Sequence, residues 1–359
     1  MPLSLLTGSP MRFVASSLLV AVFATAAHAA PPLPALGVQA EHITVSGISS
    51  GGYMAVQFHV AHSAIVDGVG VIAGGPYECA AGSMWQALSN CMEPSDSKPV
   101  PDAATSAARV ADDAAAGRID PVAGLAADRV WLLTGGQDRT VARPVMDALD
   151  AFYRRWVAAT QIAYVTVPDA GHAMLSLDDP QANACDTSEP PYINRCEGVD
   201  AAGQLLAHLL GPLQPKAATA SGELVTFDQS PFTRAGGSAG MSDGGYAYIP
   251  IGCRAGGCKL HVAFHGCRQS ADQIGDRFAT RAGYNRWAEA NRLVVLYPQT
   301  TPRYGWAWSG NWPRWVFNPK ACWDWWGYES VDYATRNGPQ VKAVKAMIDQ
   351  LTRPAAPSQ

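Results

Sequence analysis

Val45-Ser46-Gly47-Ile48-Ser49-Ser50-Gly51-Gly52 carries the strongest structural signal in the chain. Within it, Gly47-Ile48-Ser49-Ser50-Gly51 fits G-x-S-x-G, with a predicted strand at 42–45 before it and a predicted helix from about 52 to 64 after it. A strand–turn–helix corner of this kind holds its serine in strained backbone geometry, so the flanking positions must be small. It also sets the hydroxyl at a helix N-terminus, where backbone N–H groups stabilise an anion. Gly and Ser also build ordinary turns; the flanking elements give the pattern its weight.

Beyond this corner, strands are predicted at 69–73, 129–134 and 162–167, followed by a helix at 199–210 with Leu205, Leu206, Leu209 and Leu210 on one face. A soft segment at 211–222, rich in Ala, Pro and Ser, separates the halves 30–210 and 223–359. The second half predicts strands at 224–227, 246–251, 259–264 and 293–297, a helix at 278–291, a Trp-rich loop and a final helix at 340–351. Strands alternating with helices make the expected architecture one α/β domain over 30–359, a mainly parallel sheet flanked by helices.

A serine at its ordinary pKa is a weak nucleophile and needs a base, itself oriented by a carboxylate. His172 follows the predicted strand at 162–167, and Asp138 follows the one at 129–134. Both therefore fall in loops at strand C-terminal ends, where open α/β sheets place their sites. The order Ser49, Asp138, His172 is that of the α/β-hydrolases. Asp169 is a rival acid whose closeness to His172 makes the geometry harder, and Asp138 also reads as the N-cap of a helix at 141–149. His59 and His62 fall inside the first helix and read as structural. Ser50 follows the nucleophile and offers one N–H to an oxyanion; the second donor ordinarily comes from a loop after an earlier strand, often marked by His-Gly. No such loop precedes Ser49. One occurs much later, in Phe264-His265-Gly266-Cys267-Arg268-Gln269. A circular permutation accounts for that order, since domain termini often lie close together.

The segment Val45 to Met54, the loop 264–269 and Cys322-Trp323-Asp324-Trp325 together resemble the polyhydroxybutyrate depolymerases, in particular the single-domain, circularly permuted type with an α/β-hydrolase fold. The resemblance spans nearly all of the chain after residue 29. It extends to secreted feruloyl and acetylxylan esterases, which share the His-Gly-Cys loop. It implies Ser49 as nucleophile, His172 as base and Asp138 as acid, with oxyanion N–H groups from Ser50 and Cys267. It also implies that a tryptophan of the Cys-Trp-Asp-Trp stretch lines the substrate cleft; Trp323 is expected there, with Trp306 as a second substrate contact. The expected activity is hydrolysis of poly(3-hydroxybutyrate) or its oligomers through an acyl-enzyme. The alternative is a feruloyl or acetylxylan-type esterase acting on plant polysaccharide esters. Many extracellular depolymerases append a linker and a polymer-binding domain. This chain stops soon after its last predicted helix, so tight adsorption to crystalline polymer is not expected.

Composition and export agree with this reading. Seven of the 11 tryptophans lie between Trp306 and Trp326. Tryptophan joins a large apolar area to one N–H donor, which suits a polyester of alternating methyl and ester groups; it would stack on sugars equally well. A chain of 359 residues, 48% hydrophobic and 16% charged, is neither disordered nor fibrous. Twenty-six basic against 30 acidic residues argue against a nucleic-acid or anionic-membrane partner. Residues 1–29 read as a secretory signal, with Arg12 as their one charge, an apolar run ending at Phe23, and Ala27-His28-Ala29 at the cleavage site. The run is shorter than the roughly 20 residues that span a bilayer. A secreted monomer, extracellular or periplasmic, is expected. Eight cysteines then read as disulfides, paired by proximity as Cys79–Cys91, Cys185–Cys196 and Cys253–Cys258, with Cys267–Cys322 as the long-range bridge. There is no CxxC pair and no histidine cluster near the cysteines, so no metal or cofactor is expected.

Overall fold

The computed structural model describes residues 30–100, 102–233, 239–309 and 312–355; the predicted signal segment lies outside the described residues. The first half supplies β1 (Ile43–Ile48), β2 (Val66–Ile72), β3 (Arg129–Gly135) and β4 (Ile162–Val167). Three short strands follow, β5 (Met174–Leu175), β6 (Asn183–Ala184) and β7 (Ile193–Arg195), pairing among themselves. The second half supplies β8 (Glu223–Asp228), β9 (Gly244–Ile249), β10 (Lys259–Phe264) and β11 (Leu293–Tyr297). It also holds a hairpin of β12 (Arg303–Ser309) and β13 (Trp312–Asn318).

Both halves join in one eight-stranded sheet, ordered β4-β3-β2-β1-β10-β11-β9-β8. The strands from β4 to β11 in that order are parallel, and β9 runs antiparallel to both its neighbours. Started at β8 and followed cyclically through β11 to β1, the strands lie in the order first, second, fourth, third, then fifth to eighth, with the second reversed. That is the α/β-hydrolase sheet, entered by this chain at its fifth strand. The ends of the permuted chain meet: Leu36 and Val38 N–H donate to the Leu351 carbonyl, and Gly37 N–H donates to Arg353 at 2.7 Å.

Period-two alternation buries both faces of the sheet. Val130 and Leu132 belong to the core that includes the helices Ser50–Ala61, Arg143–Tyr153 and Pro339–Thr352, while Trp131 and Leu133 belong to the core that includes Ala201–Leu210 and Tyr284–Ala290. Residues 211–222 form neither helix nor strand and run from the helix Ala201–Leu210 to β8. Two expectations differ from the structure. The helix expected over 278–291 is two helices, Arg277–Arg281 and Tyr284–Ala290, because Gly283 adopts φ +99° between them. The Trp-rich loop is in part the β12–β13 hairpin.

Candidate active site

Ser49 follows β1 with φ 56° and ψ −125°, a left-handed value that a non-glycine residue holds only where the surroundings impose it. The surroundings here are tight. Ser49 N–H donates to the Ile72 carbonyl at 2.9 Å, and the helix Ser50–Ala61 begins at the next residue. A Cβ on Gly51 would lie 2.3 Å from the Phe264 carbonyl oxygen and 2.4 Å from that of His265. Only glycine lets the serine corner approach the end of β10 so closely. The pairing of β1 with β10 aligns Gly47 with Phe264, so the loops after both strands emerge side by side. A Cβ on Gly266 would sit 3.3 Å from Ser49 Cβ. The late His-Gly-Cys loop is thus the immediate neighbour of the serine.

Two buried groups hold that loop. His265 accepts at Nε2 from Thr300 N–H (3.2 Å) and donates from Nδ1 to the Gly266 carbonyl (2.8 Å). Burial lowers its pKa to about 4, which keeps the ring neutral and in that tautomer. Gln269 accepts from Gly266 N–H at Oε1 (2.7 Å) and donates from Nε2 to the carbonyls of Pro191 and Tyr192, each at 3.0 Å. It therefore ties the loop at 266 to the segment beside His172, whose ring Tyr192 meets edge-on at 6.4 Å. Nothing in the loop sequence His265-Gly266-Cys267-Arg268-Gln269 marks Gln269 for this role, which depends on the distant segment at Pro191 and Tyr192. The Cys267–Cys322 disulfide fastens the same loop to the Cys-Trp-Asp-Trp stretch.

His172 and Asp138 come together across the ends of β4 and β3. His172 Nδ1 and Asp138 Oδ2 are 2.8 Å apart, with only 5% and 7% of the residues exposed. The other carboxylate oxygen, Oδ1, accepts from Thr140 N–H (2.8 Å) and Val141 N–H (2.9 Å). Asp138 is not the helix N-cap that its position also suggested, since the helix begins at Arg143 behind Ala142; its Oδ1 braces the turn before that helix while its Oδ2 faces the imidazole. The rival Asp169 is exposed. Ser188 Oγ accepts from His172 N–H at 2.8 Å, and Gly171 N–H donates to the carbonyl of Cys185, itself bridged to Cys196.

Other histidines stay apart from this constellation. His59 binds Asp128 and Tyr153 inside the core, and His261 lies between Thr44 and Ser46, fully buried. The remaining disulfides, Cys79–Cys91 and Cys253–Cys258, pair as expected from proximity.

Ser49, His172, Gly266 and Cys267 all line one cavity of about 330 Å³, a size suited to a small-molecule site. Met84, Ala87, Leu88 and Met92 give it an apolar wall, and Trp325, Trp326 and Phe317 an aromatic one. A serine hydroxyl and a carboxylate-paired histidine at one cavity with apolar walls form an arrangement that could act on a neutral carbonyl compound.

No family model matches the chain. Poly(3-hydroxybutyrate) depolymerase of Delftia acidovorans is 42% identical over 331 residues, 90% of this chain. This chain spans 62% of that relative's length. Polyhydroxybutyrate depolymerase of Talaromyces funiculosus is 37% identical over 90% of this chain and 93% of its own length. The chain belongs to the polyhydroxybutyrate depolymerase family. Among solved structures, PHB depolymerase from Penicillium funiculosum superposes with a TM-score of 0.80 at 36% identity, covering 89% of this chain and 98% of that one. A serine-to-alanine PHB depolymerase complexed with R3HB trimer gives 0.79 at the same identity and coverage.

Within this depolymerase-family chain, the tryptophans are where structure and expectation part. Trp323 does not line the cavity: it is fully buried beneath the loop, edge-on to Phe264 (5.0 Å) and tilted against His265 (5.5 Å). The disulfide at Cys322 fixes the strand of chain above the core, and the next side chain turns inward. Trp325 and Trp326 line the cavity instead, with Trp325 stacked on Tyr53 at 4.0 Å. Asp324 sets this spacing. Its carboxylate accepts from Tyr328 N–H (2.7 Å) and Glu329 N–H (2.9 Å), and burial raises its pKa to about 6. Trp306 does not reach the cavity lining; it stands 74% exposed on β12, edge-on to Trp315 across the hairpin. The alternation Tyr304-x-Trp306 and Trp315-x-Phe317 was the available sequence signal for strands.

Proposed function

We propose that the protein is a secreted serine esterase that hydrolyses poly(3-hydroxybutyrate) or its oligomers. The observation that carries this reading is that His172, hydrogen-bonded to the buried Asp138, lines the same cavity as Ser49 and the His-Gly-Cys loop. Ser49 Oγ attacks the ester carbonyl as His172 Nε2 takes its proton, and Asp138 stabilises the resulting imidazolium. The tetrahedral oxyanion accepts from the N–H groups of Ser50 and Cys267, each contributing roughly 3–4 kcal/mol. Collapse expels the alcohol, protonated by His172. Water deprotonated by the same ring then attacks the acyl-enzyme and restores Ser49. The apolar wall of Met84, Leu88 and Met92 suits the methyl-bearing backbone of the substrate.

The exposed aromatic face of the hairpin, with Tyr304, Trp306, Trp315 and Phe317 from 52% to 74% exposed, is assigned to contact with the polymer surface. Phe317 belongs both to that face and to the cavity lining, so the two surfaces are continuous. Four disulfides accord with export to an oxidising compartment. The plant-polysaccharide alternative is not favoured, since the relatives and solved structures named above are polyhydroxybutyrate depolymerases. The test is release of 3-hydroxybutyrate from polymer film and hydrolysis of a soluble butyrate ester, with wild-type protein and Ser49→Ala. We expect the variant to lose at least ~10³-fold in both while melting as the wild type does. Turnover retained in the variant would refute Ser49 as the nucleophile, and a wild type inert on film but active on feruloylated xylan would refute the substrate.

A further inference from the structure

We propose that Arg268 and Lys320 form a carboxylate subsite that reads the free acid end of a hydroxyacid oligomer. The proposal rests on the esterase reading above and specifies which end of the chain the cavity recognises. Both residues line the cavity, and both are exposed at its rim. They are held together by backbone: Arg268, at φ 62°, donates its N–H to the Lys320 carbonyl at 2.7 Å. The disulfide between Cys267 and Cys322 fastens the same two segments at a second point. The two cations therefore occupy a fixed wall, on the side of the cavity formed by the His-Gly-Cys loop.

Their surroundings lack the charge that would neutralise them. Among the described residues, no Asp or Glu lines the cavity, and neither side chain is held in an ion pair. Other arginines have partners of their own: Arg118, Arg277, Arg286 and Arg336 each lie within 3.0 Å of a carboxylate oxygen, and Arg129, Arg195 and Arg292 donate to backbone carbonyls. Two cations without a carboxylate partner, at the mouth of a cavity whose remaining lining carries no acidic side chain, mark the place where an anion is favoured.

The substrate class supplies one anion. A 3-hydroxyacid polyester is neutral along its length and ends in a carboxylate on the alcohol side of its last ester. With that ester's carbonyl at Ser49, the terminal carboxylate lies three bonds from the leaving oxygen, one monomer unit away. A cationic rim then favours cleavage near the acid end, releasing short hydroxyacids. The guanidinium of Arg268 offers forked N–H donors to a carboxylate, and Lys320 a point charge.

The experiment compares kcat/KM for the 3-hydroxybutyrate trimer as free acid and as its methyl ester, in wild type and in Arg268→Gln/Lys320→Gln. The ratio of the two substrates is read within each protein, so a general loss of activity cancels. At low ionic strength we expect the wild type to favour the acid by roughly 5- to 10-fold, mainly through KM, and the preference to shrink in 0.5 M salt. In the double variant the ratio falls to about 1, and in Lys320→Glu it falls further. Equal turnover of acid and ester by the wild type, or the same ratio in wild type and double variant, overturns the subsite and leaves the esterase reading intact. Turnover of neither substrate by the wild type overturns both.

Discussion

At the scale of single residues, the most informative atom pair is the carboxylate of Asp138. One oxygen accepts from two backbone N–H groups, and the other faces His172 Nδ1. The roles are not exchangeable, which makes Asp138→Asn a sharp test. The amide oxygen must stay on the Thr140 and Val141 N–H donors, so the NH₂ group faces the imidazole and forces its proton onto Nε2. The ring then cannot accept from Ser49. We expect kcat on a soluble ester to fall about 10³- to 10⁴-fold, with the melting temperature nearly unchanged; a loss under tenfold would show that Asp138 does not orient the base. Ser49, Asp138 and His172 stand out in the sequence because each falls in a loop after a predicted strand. The cavity tryptophans could not. Nothing in Cys-Trp-Asp-Trp says which indole turns inward, because that depends on a disulfide 55 residues long in sequence and on the backbone donors gathered by buried Asp324.

Among elements, β1, β10 and the hairpin separate what sequence patterns reveal from what they conceal. β11 is a continuous buried apolar run, β10 is buried from its second residue on, and β4 at the sheet edge is rich in β-branched residues, so all three have the predicted boundaries. The hairpin was hidden because its alternation is aromatic on the exposed side, the reverse of the usual pattern of apolar residues facing a core. Cross-strand pairing sets Tyr304 opposite Phe317 and Trp306 opposite Trp315, gathering four rings on one face. Such a face is unfavourable in water unless it has a surface to meet. Replacing both Trp306 and Trp315 by alanine should therefore lower hydrolysis of polymer film relative to a soluble ester by about tenfold or more, since tryptophans buried on contact are among the residues that contribute above about 1 kcal/mol each. Parallel film and soluble-ester assays check it, and an unchanged ratio would remove the hairpin from polymer contact.

Over the whole molecule, the permutation was legible because motif order survives even when chain order does not: the oxyanion-type loop comes after the nucleophile in sequence and beside it in space. What the sequence does not display is how many histidines the fold buries, and these govern the response to acid. Burial lowers His261 to about 3, and His265 and His62 to about 4. All three stay neutral in the folded state, whereas in the unfolded chain they take up protons near pH 6.5. Their contribution is thus complete above pH 6.5 and is lost as pH falls toward 4, on the order of 2 kcal/mol each at pH 5. Asp324 acts in the opposite sense. Its pKa, raised to about 6, favours the folded state below that value, by about 1 kcal/mol at pH 5. Three histidines outweigh one carboxyl, so the melting temperature should drop by ~5 °C or more between pH 7 and pH 5. In His62→Gln, which removes one buried ring, the drop should be smaller. Calorimetry across that range decides it: a melting temperature that holds or rises on acidification would mean that these rings are not held neutral by the fold.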